Sequence, residues 1–184
     1  KNKYRAAYFK PVASGEVETD GAKVSADAAF VGVVSGFAEK PGRVTPFAFA
    51  DAVAPHLAAR LASRRIDPAV IQKSLSDLKS RYDVIVAEGA GGLAVPLNDD
   101  GAMQYGLIRE LKFPCLLVAR AGLGTINHTL LTLSFAKCVG LTVKGIIISG
   151  AGQTLIERDN IAMIKKLSGI DAVFTLPAVA RVDN

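Results

Sequence analysis

The feature that most restricts what this chain can fold into is the stretch 82–98, YDVIVAEGAGGLAVPLN. In it a four-residue apolar run, 84–87, ends in a lone carboxylate, Glu88, and then in Gly89, Gly91 and Gly92. A short, β-branched, uncharged run of this kind reads as a strand buried on both faces of a parallel sheet. Open α/β sheets hold their ligands outside the carboxyl ends of the strands, which is where Glu88 falls. Glycines there can adopt positive φ and turn successive N–H groups toward one point, making an anion nest. One carboxylate beside such a nest suits a Mg²⁺–phosphate pair, the acid facing the metal and the amides facing phosphate oxygens. A solvated turn carboxylate and a tight glycine loop would leave the same letters, so the rest of the chain has to decide.

The remaining chain alternates strands with helical spacing. A strand at 4–9 runs into Lys10-Pro11-Val12-Ala13-Ser14-Gly15, and 16–25 is polar and turn-rich. Residues 26–34 suit a small-residue helix opening near Asp27, 36–45 reads as loop, and 51–64 has helical spacing at Val53, Leu57 and Leu61. Asp67-Pro68 is an N-cap followed by proline at the first helical position, and the helix it opens carries Val70, Ile71, Leu75 and Leu78 on one face. After the strand to Glu88 come a helix at 102–111, a buried strand at 115–119, and a helix opened by Gly122-Leu123-Gly124-Thr125 and stopped at Gly140. A strand at 144–149, a helix at 155–167 and a strand at 172–176 complete the order. This alternation predicts one α/β domain over 1–184: a mostly parallel sheet with helices on both faces.

In a parallel sheet all carboxyl ends point one way, so Lys10, Glu88 and the glycine turn at 122–124 are expected to line one crevice. A cation, a carboxylate and a helix amino terminus together describe a site for phosphate and carboxylate groups. Lys10 would be a point charge on a transferring phosphoryl group or a developing anion. Ser14 offers a hydroxyl, Thr125 and Asn127 stand in a first turn whose amides lack partners, and Asp27 is either a second metal carboxylate or an N-cap. His56 and His128 have no cysteine or histidine at ligand spacing, which argues against zinc.

Composition narrows the function classes. The net charge of +5 favours an anionic partner. The basic residues are scattered without interleaved aromatics, so nucleic acid is not the expected one. No apolar run reaches the ~18 residues of a membrane span. Cys115 and Cys138 stand without a CxxC partner and read as reduced core residues of a cytoplasmic protein.

KPVASG at 10–15, ADA at 26–28, PH at 55–56, EGAGG at 88–92, LGTINH at 123–128 and LP at 176–177 occur in this order. Together they resemble the dethiobiotin synthetases, ATP-dependent carboxylases of the P-loop NTPase superfamily with a three-layer α/β/α fold. The resemblance implies that Lys10 is the active-site lysine and that Ser14 touches the substrate, 7,8-diaminononanoate. Asp27 and Glu88 would hold Mg²⁺, and Glu88, Gly89, Ala90 and Gly91 would lie along ATP. It further implies that Gly124, Thr125 and Asn127 bind the substrate carboxylate across a homodimer interface, and that Pro177, Ala178 and Val179 border the adenine. The small-molecule partners would be diaminononanoate, CO2 and ATP.

Two departures from the family pattern stand out. The family's strand and P-loop, roughly GxxxxGK[ST], have no match here. By family order the resemblance implies about 25 further residues upstream, so the chain as given is expected to bind ATP poorly and catalyse little. The strand ending at Ile148 continues in the family into Asn-Asp, which reads the base; Ser149-Gly150 stand there instead, which bears on adenine specificity. A cobyrinate-type amidoligase and a dimerising relic that has lost nucleotide binding are the alternative readings.

Overall fold

Helices and short strands, most of them paired in parallel, make up the fold in the computed structural model, which describes residues 4–19, 21–37, 39–152 and 154–179. Strands and helices alternate as expected of an α/β protein. The chain divides into two compact units, one of residues up to Leu111 and one beginning at Lys112.

In the first unit the elements are β1 (Ala6–Phe9), β2 (Val12–Ser14), β3 (Glu16–Thr19), β4 (Ala22–Ser25), α1 (Ala26–Ser35), α2 (Pro41–Val44), β5 (Phe47–Phe49), α3 (Pro55–Leu61), α4 (Pro68–Lys79), β6 (Val84–Ala87) and α5 (Gln104–Leu111). Strand β1 pairs parallel with β6, and β2 pairs parallel with β5. Asp67 caps α4, its side chain accepting from the Ala69 N–H at 2.8 Å, and Ile71, Leu75 and Leu78 are the buried stripe. Val70, expected on that stripe, is exposed instead. Ile71 and Leu78 are fully buried, as are Phe9, Val12 and Ile66, each burial contributing about 1.5–3 kcal/mol.

Several expectations are corrected here. Residues 16–25 form an antiparallel hairpin, β3 with β4, in which Val17 faces Val24 and Gly21 turns with φ +72°. The hairpin is largely exposed, so its apolar positions are few and its strand period is diluted by charge. A one-turn helix, α2, interrupts the expected loop because Pro41 at the first helical position presets φ. Helix α3 is shorter than 51–64: Pro55 sets its first turn, and Ser63, with φ +51°, lies just beyond its end.

The second unit comprises β7 (Cys115–Arg120), α6 (Thr125–Cys138), β8 (Val143–Ala151), α7 (Leu155–Leu167) and β9 (Val173–Pro177). Its sheet is parallel, in the order β7-β8-β9. Helix α7 begins with a complete capping box, Thr154 and Glu157 exchanging side-chain and backbone bonds. Ile146 and Ile148 of β8 and Ile164 of α7 are fully buried, with Leu117, Ala119 and Ile126 packed around them. The strands expected to be buried on both faces are not. Leu116 and Val118 of β7 are 59% and 64% exposed, and Val84 and Val86 of β6 are exposed as well. In the second unit α6 and α7 share one core with the buried sheet face, and no described element of that unit covers the other. The cysteines are free but not core residues: Cys115 is half-buried on the alternating strand β7, and Cys138 is exposed at the end of α6.

Candidate active site

Lys10 directly follows β1 and Glu88 directly follows β6. The parallel register, Ala6 with Val84 through Phe9 with Ala87, carries straight on, and the Glu88 N–H donates to the Phe9 carbonyl at 2.9 Å. The two residues therefore leave their strands side by side. Lys10 Nζ donates to Glu88 Oε1 at 2.7 Å and to the Gly89 carbonyl at 3.3 Å, and it pairs with Asp27 Oδ2 at 2.8 Å. Three acceptors match the three donors of an ammonium.

Asp27 reaches Lys10 because it is not the cap of α1. Ser25 is buried and caps the helix, accepting from the Ala28 N–H at 3.3 Å, which leaves the Asp27 carboxylate in the first turn for the lysine. Burial alone would lower the Lys10 pKa. The hydrogen bonds and charges of Asp27 and Glu88 outweigh burial and hold it above the usual lysine value. At neutral pH the group is a fixed cation rather than a base.

The burial is one-sided. Lys10 is 6% exposed, whereas the side chains of Asp27 and Glu88 keep 50% and 51% of their surface. The other Glu88 oxygen, Oε2, accepts from the Tyr8 hydroxyl at 2.7 Å. Burial first, then the bond to Glu88, pushes the Tyr8 phenol above its ordinary range, so it stays neutral and donates.

Beyond Glu88 the loop keeps close company with α5. A Cβ at Gly89 would overlap the amide nitrogen of Gln104, so only glycine fits without displacing that side chain. Gln104 is buried, and its Oε1 has no hydrogen-bond partner among the described residues. Ala90 is buried, and Gly91 takes φ +78°, the positive φ that an anion nest uses. Ser14 ends β2 and is partly exposed.

Asp27 and Glu88 place two hard carboxylate donors within 3 Å of one cation. Mg²⁺ is ordinarily held by one or two carboxylates, with water and phosphate completing its shell, and the pair fits that habit. Among the described residues no group of three or more His, Cys, Asp or Glu could hold a metal by itself. Asp27 and Glu88 are residues that could hold such an ion.

In the second unit Gly124, with φ +86°, is the N-cap of α6, a backbone position that side chains rarely adopt. Asn127 is exposed in the first turn. Thr125 is buried, its hydroxyl meets that of Thr129 at 3.5 Å, and its backbone N–H, expected to lack a partner, donates to the Gly122 carbonyl at 3.3 Å. A depression of about 440 Å3 lies between β7 and α6, bordered by Arg120, Gly122, Thr125 and His128. Asn160 of α7 is buried and donates to the carbonyls of Ala121 and Gly122 at 2.9 and 3.1 Å, which pins the turn. At the same carboxyl end of the sheet Ser149, in register with Arg120, and Gly150 lie among the last residues of β8. Pro177 pairs with Ala151, and the Ala178 N–H donates to the Ala151 carbonyl at 3.4 Å. Val179 follows, exposed. Pro177 also borders a depression of about 340 Å3 with Arg158, Lys165 and Thr175.

Sequence reading alone missed Tyr8, Gln104 and Asn160. Tyr8 had a signal: two residues before Lys10 on a strand, it shares the lysine's face. Gln104 and Asn160 act from helices distant in sequence, and nothing local marks them.

A family model described as an AAA domain matches residues 1–184. An ATP-dependent dethiobiotin synthetase of Clostridium kluyveri is 40% identical over 184 residues, covering 98% of this chain and 74% of that protein. One from Clostridium novyi is 39% identical over 188 residues, covering all of this chain and 79% of its own length. Among solved structures, a ParA family ATPase from Chlorobium tepidum superposes with a TM-score of 0.54 at 14% identity, over 97% of this chain and 73% of that one, a likeness of fold. With carboxylates, lysine and glycine loop in place and two fifths of its residues shared with these relatives, the chain belongs to the ATP-dependent dethiobiotin synthetase family.

Proposed function

We propose that the protein carrying this chain closes the ureido ring of dethiobiotin from 7,8-diaminononanoate, CO2 and ATP. One amine adds to CO2 to give a carbamate. A carbamate oxygen attacks the γ-phosphorus, releasing ADP and leaving a carbamic–phosphoric anhydride. The second amine attacks the anhydride carbonyl and expels phosphate as the ring closes. Negative charge gathers on oxygen at each stage, so the required groups are fixed cations and aimed amides.

Lys10 meets that requirement: its ammonium is buried, held by Asp27, Glu88 and the Gly89 carbonyl, and stays charged at neutral pH. This is the observation that carries the reading. Mg²⁺, held by Asp27 and Glu88, would supply further positive charge beside the phosphates. The amides of 88–91 would lie along the triphosphate, and Ser14 near the diamine. Ser149, Gly150, Pro177, Ala178 and Val179 would border the nucleoside base. Gly124, Thr125 and Asn127 would take the substrate carboxylate at a helix start, across a homodimer interface.

The test is product formation from diaminononanoate, bicarbonate and ATP with Mg²⁺, with ADP release measured in parallel. Lys10→Gln should retain nucleotide binding and lose ring closure by several orders of magnitude. Full turnover in that variant, or no dethiobiotin from the unaltered protein, would refute the assignment.

A further inference from the structure

We propose that Tyr8 is the positioning residue that sets the orientation of the Glu88 carboxylate for its cation. The inference rests on the reading of Glu88 as a metal ligand. Tyr8 pairs with Val86 in the parallel ladder and lies two residues before Lys10, so the two side chains share one face of β1 while Glu88 leaves the neighbouring strand between them. Each takes one carboxylate oxygen: Lys10 Nζ donates to Oε1 and the Tyr8 hydroxyl to Oε2, both at 2.7 Å.

A carboxylate offers about four lone-pair sites. Two anchors, one on each oxygen, fix the plane of the group and leave the remaining lone pairs for a ligand. Lys10 alone would hold one oxygen and allow the group to rotate about it. Glu88 needs such a restraint because its side chain is half exposed and loop glycines follow it. Tyr8, by contrast, is 8% exposed on a paired strand, a rigid support. A buried phenol needs a hydrogen-bond partner, and the partner Tyr8 has is Glu88. Phenylalanine would fill the same space at that position, so the hydroxyl is what the site uses. Partners that orient a ligating side chain typically change metal affinity by 10–100-fold when removed.

The experiment is Mn²⁺ binding to the protein, followed by the loss of the free-ion paramagnetic signal, on Tyr8→Phe, Glu88→Gln and the double variant. Tyr8→Phe should weaken Mn²⁺ binding about 10-fold with little change in the urea midpoint, and should add nothing in the Glu88→Gln background. In the unaltered protein, Mg²⁺ should also give a tyrosine difference spectrum that Tyr8→Phe abolishes; this measurement holds even if the variant folds poorly. Loss of binding in Glu88→Gln with none in Tyr8→Phe, or no difference spectrum, overturns the role of Tyr8 alone. Unchanged Mn²⁺ affinity in Glu88→Gln overturns the metal reading of Glu88 and the Tyr8 proposal with it.

Discussion

Replacing Lys10 by methionine should scarcely change the stability of the fold, whereas neutralising both of its partners should cost several times more. The asymmetry follows from which member of the cluster is buried. Lys10 is almost wholly enclosed, while Asp27 and Glu88 keep half of their side-chain surface in water. Lys10→Met removes the enclosed charge together with its desolvation penalty and fills the space with a side chain of similar length. The two carboxylates left behind are solvated, and exposed pairs of this kind are worth about 0–1 kcal/mol. The expected loss is about 1 kcal/mol or less.

Asp27→Asn with Glu88→Gln does the opposite. It leaves a buried ammonium with no carboxylate beside it, held by the Gly89 carbonyl at 3.3 Å and by neutral amide oxygens. Stranding a buried charge costs about 3–5 kcal/mol; the amide oxygens of the new side chains still accept, which puts the expectation near 3 kcal/mol. Urea unfolding of the three proteins at neutral pH measures both numbers. The alkaline limb supplies a second sign. In the unaltered protein the folded Lys10 pKa lies above the ordinary 10.5, so its contribution is complete below that pH and is lost as pH rises through the folded value. In the double variant both carboxylate charges are gone and burial, the largest influence, lowers the pKa, so stability should rise with pH as the amine sheds its proton. A Lys10→Met loss equal to that of the double variant would refute the one-sided burial argument.

Other perturbations probe separate parts of the molecule. The Asp83 carboxylate, held by the Arg5 side chain and backbone, is lowered from 3.8 to about 2. Its stabilisation is present above 3.8 and lost as pH falls through about 2, so Asp83→Asn should flatten the acid limb of an unfolding titration in that window. Ile164→Ala empties a fully buried site in the second unit's core and should cost about 2–5 kcal/mol by urea unfolding; a loss under 1 kcal/mol would mean the core closes over the cavity. Asn127→Ala should raise the KM for diaminononanoate more than it lowers kcat, because a carboxylate anchor contributes mainly uniform binding; an unchanged KM would remove Asn127 from the substrate site.

What the amino-acid sequence made legible depended on how local the deciding physics was. Asp67-Pro68 announces α4 because caps act within one helical turn. The strands at 84–87 and 115–119 are visible as short apolar runs, but their burial is not, since whether Val86 or Val118 is covered depends on elements distant in sequence. The hairpin 16–25 was obscured for the opposite reason: an exposed ribbon needs few apolar residues, so only Val17 and Val24 carry the pattern. The same division runs through the site. Lys10 and Glu88 could be brought together from two strand ends by assuming a parallel ladder in register. Asp27 could be joined to them only once buried Ser25 had taken the cap, a choice settled by packing rather than by helix preference, since both residues cap well. Tyr8 lies between these cases. Strand alternation puts it on the face of Lys10, yet its hydroxyl becomes meaningful only when the neighbouring strand delivers Glu88 to it, at the same 2.7 Å at which Lys10 holds the other oxygen.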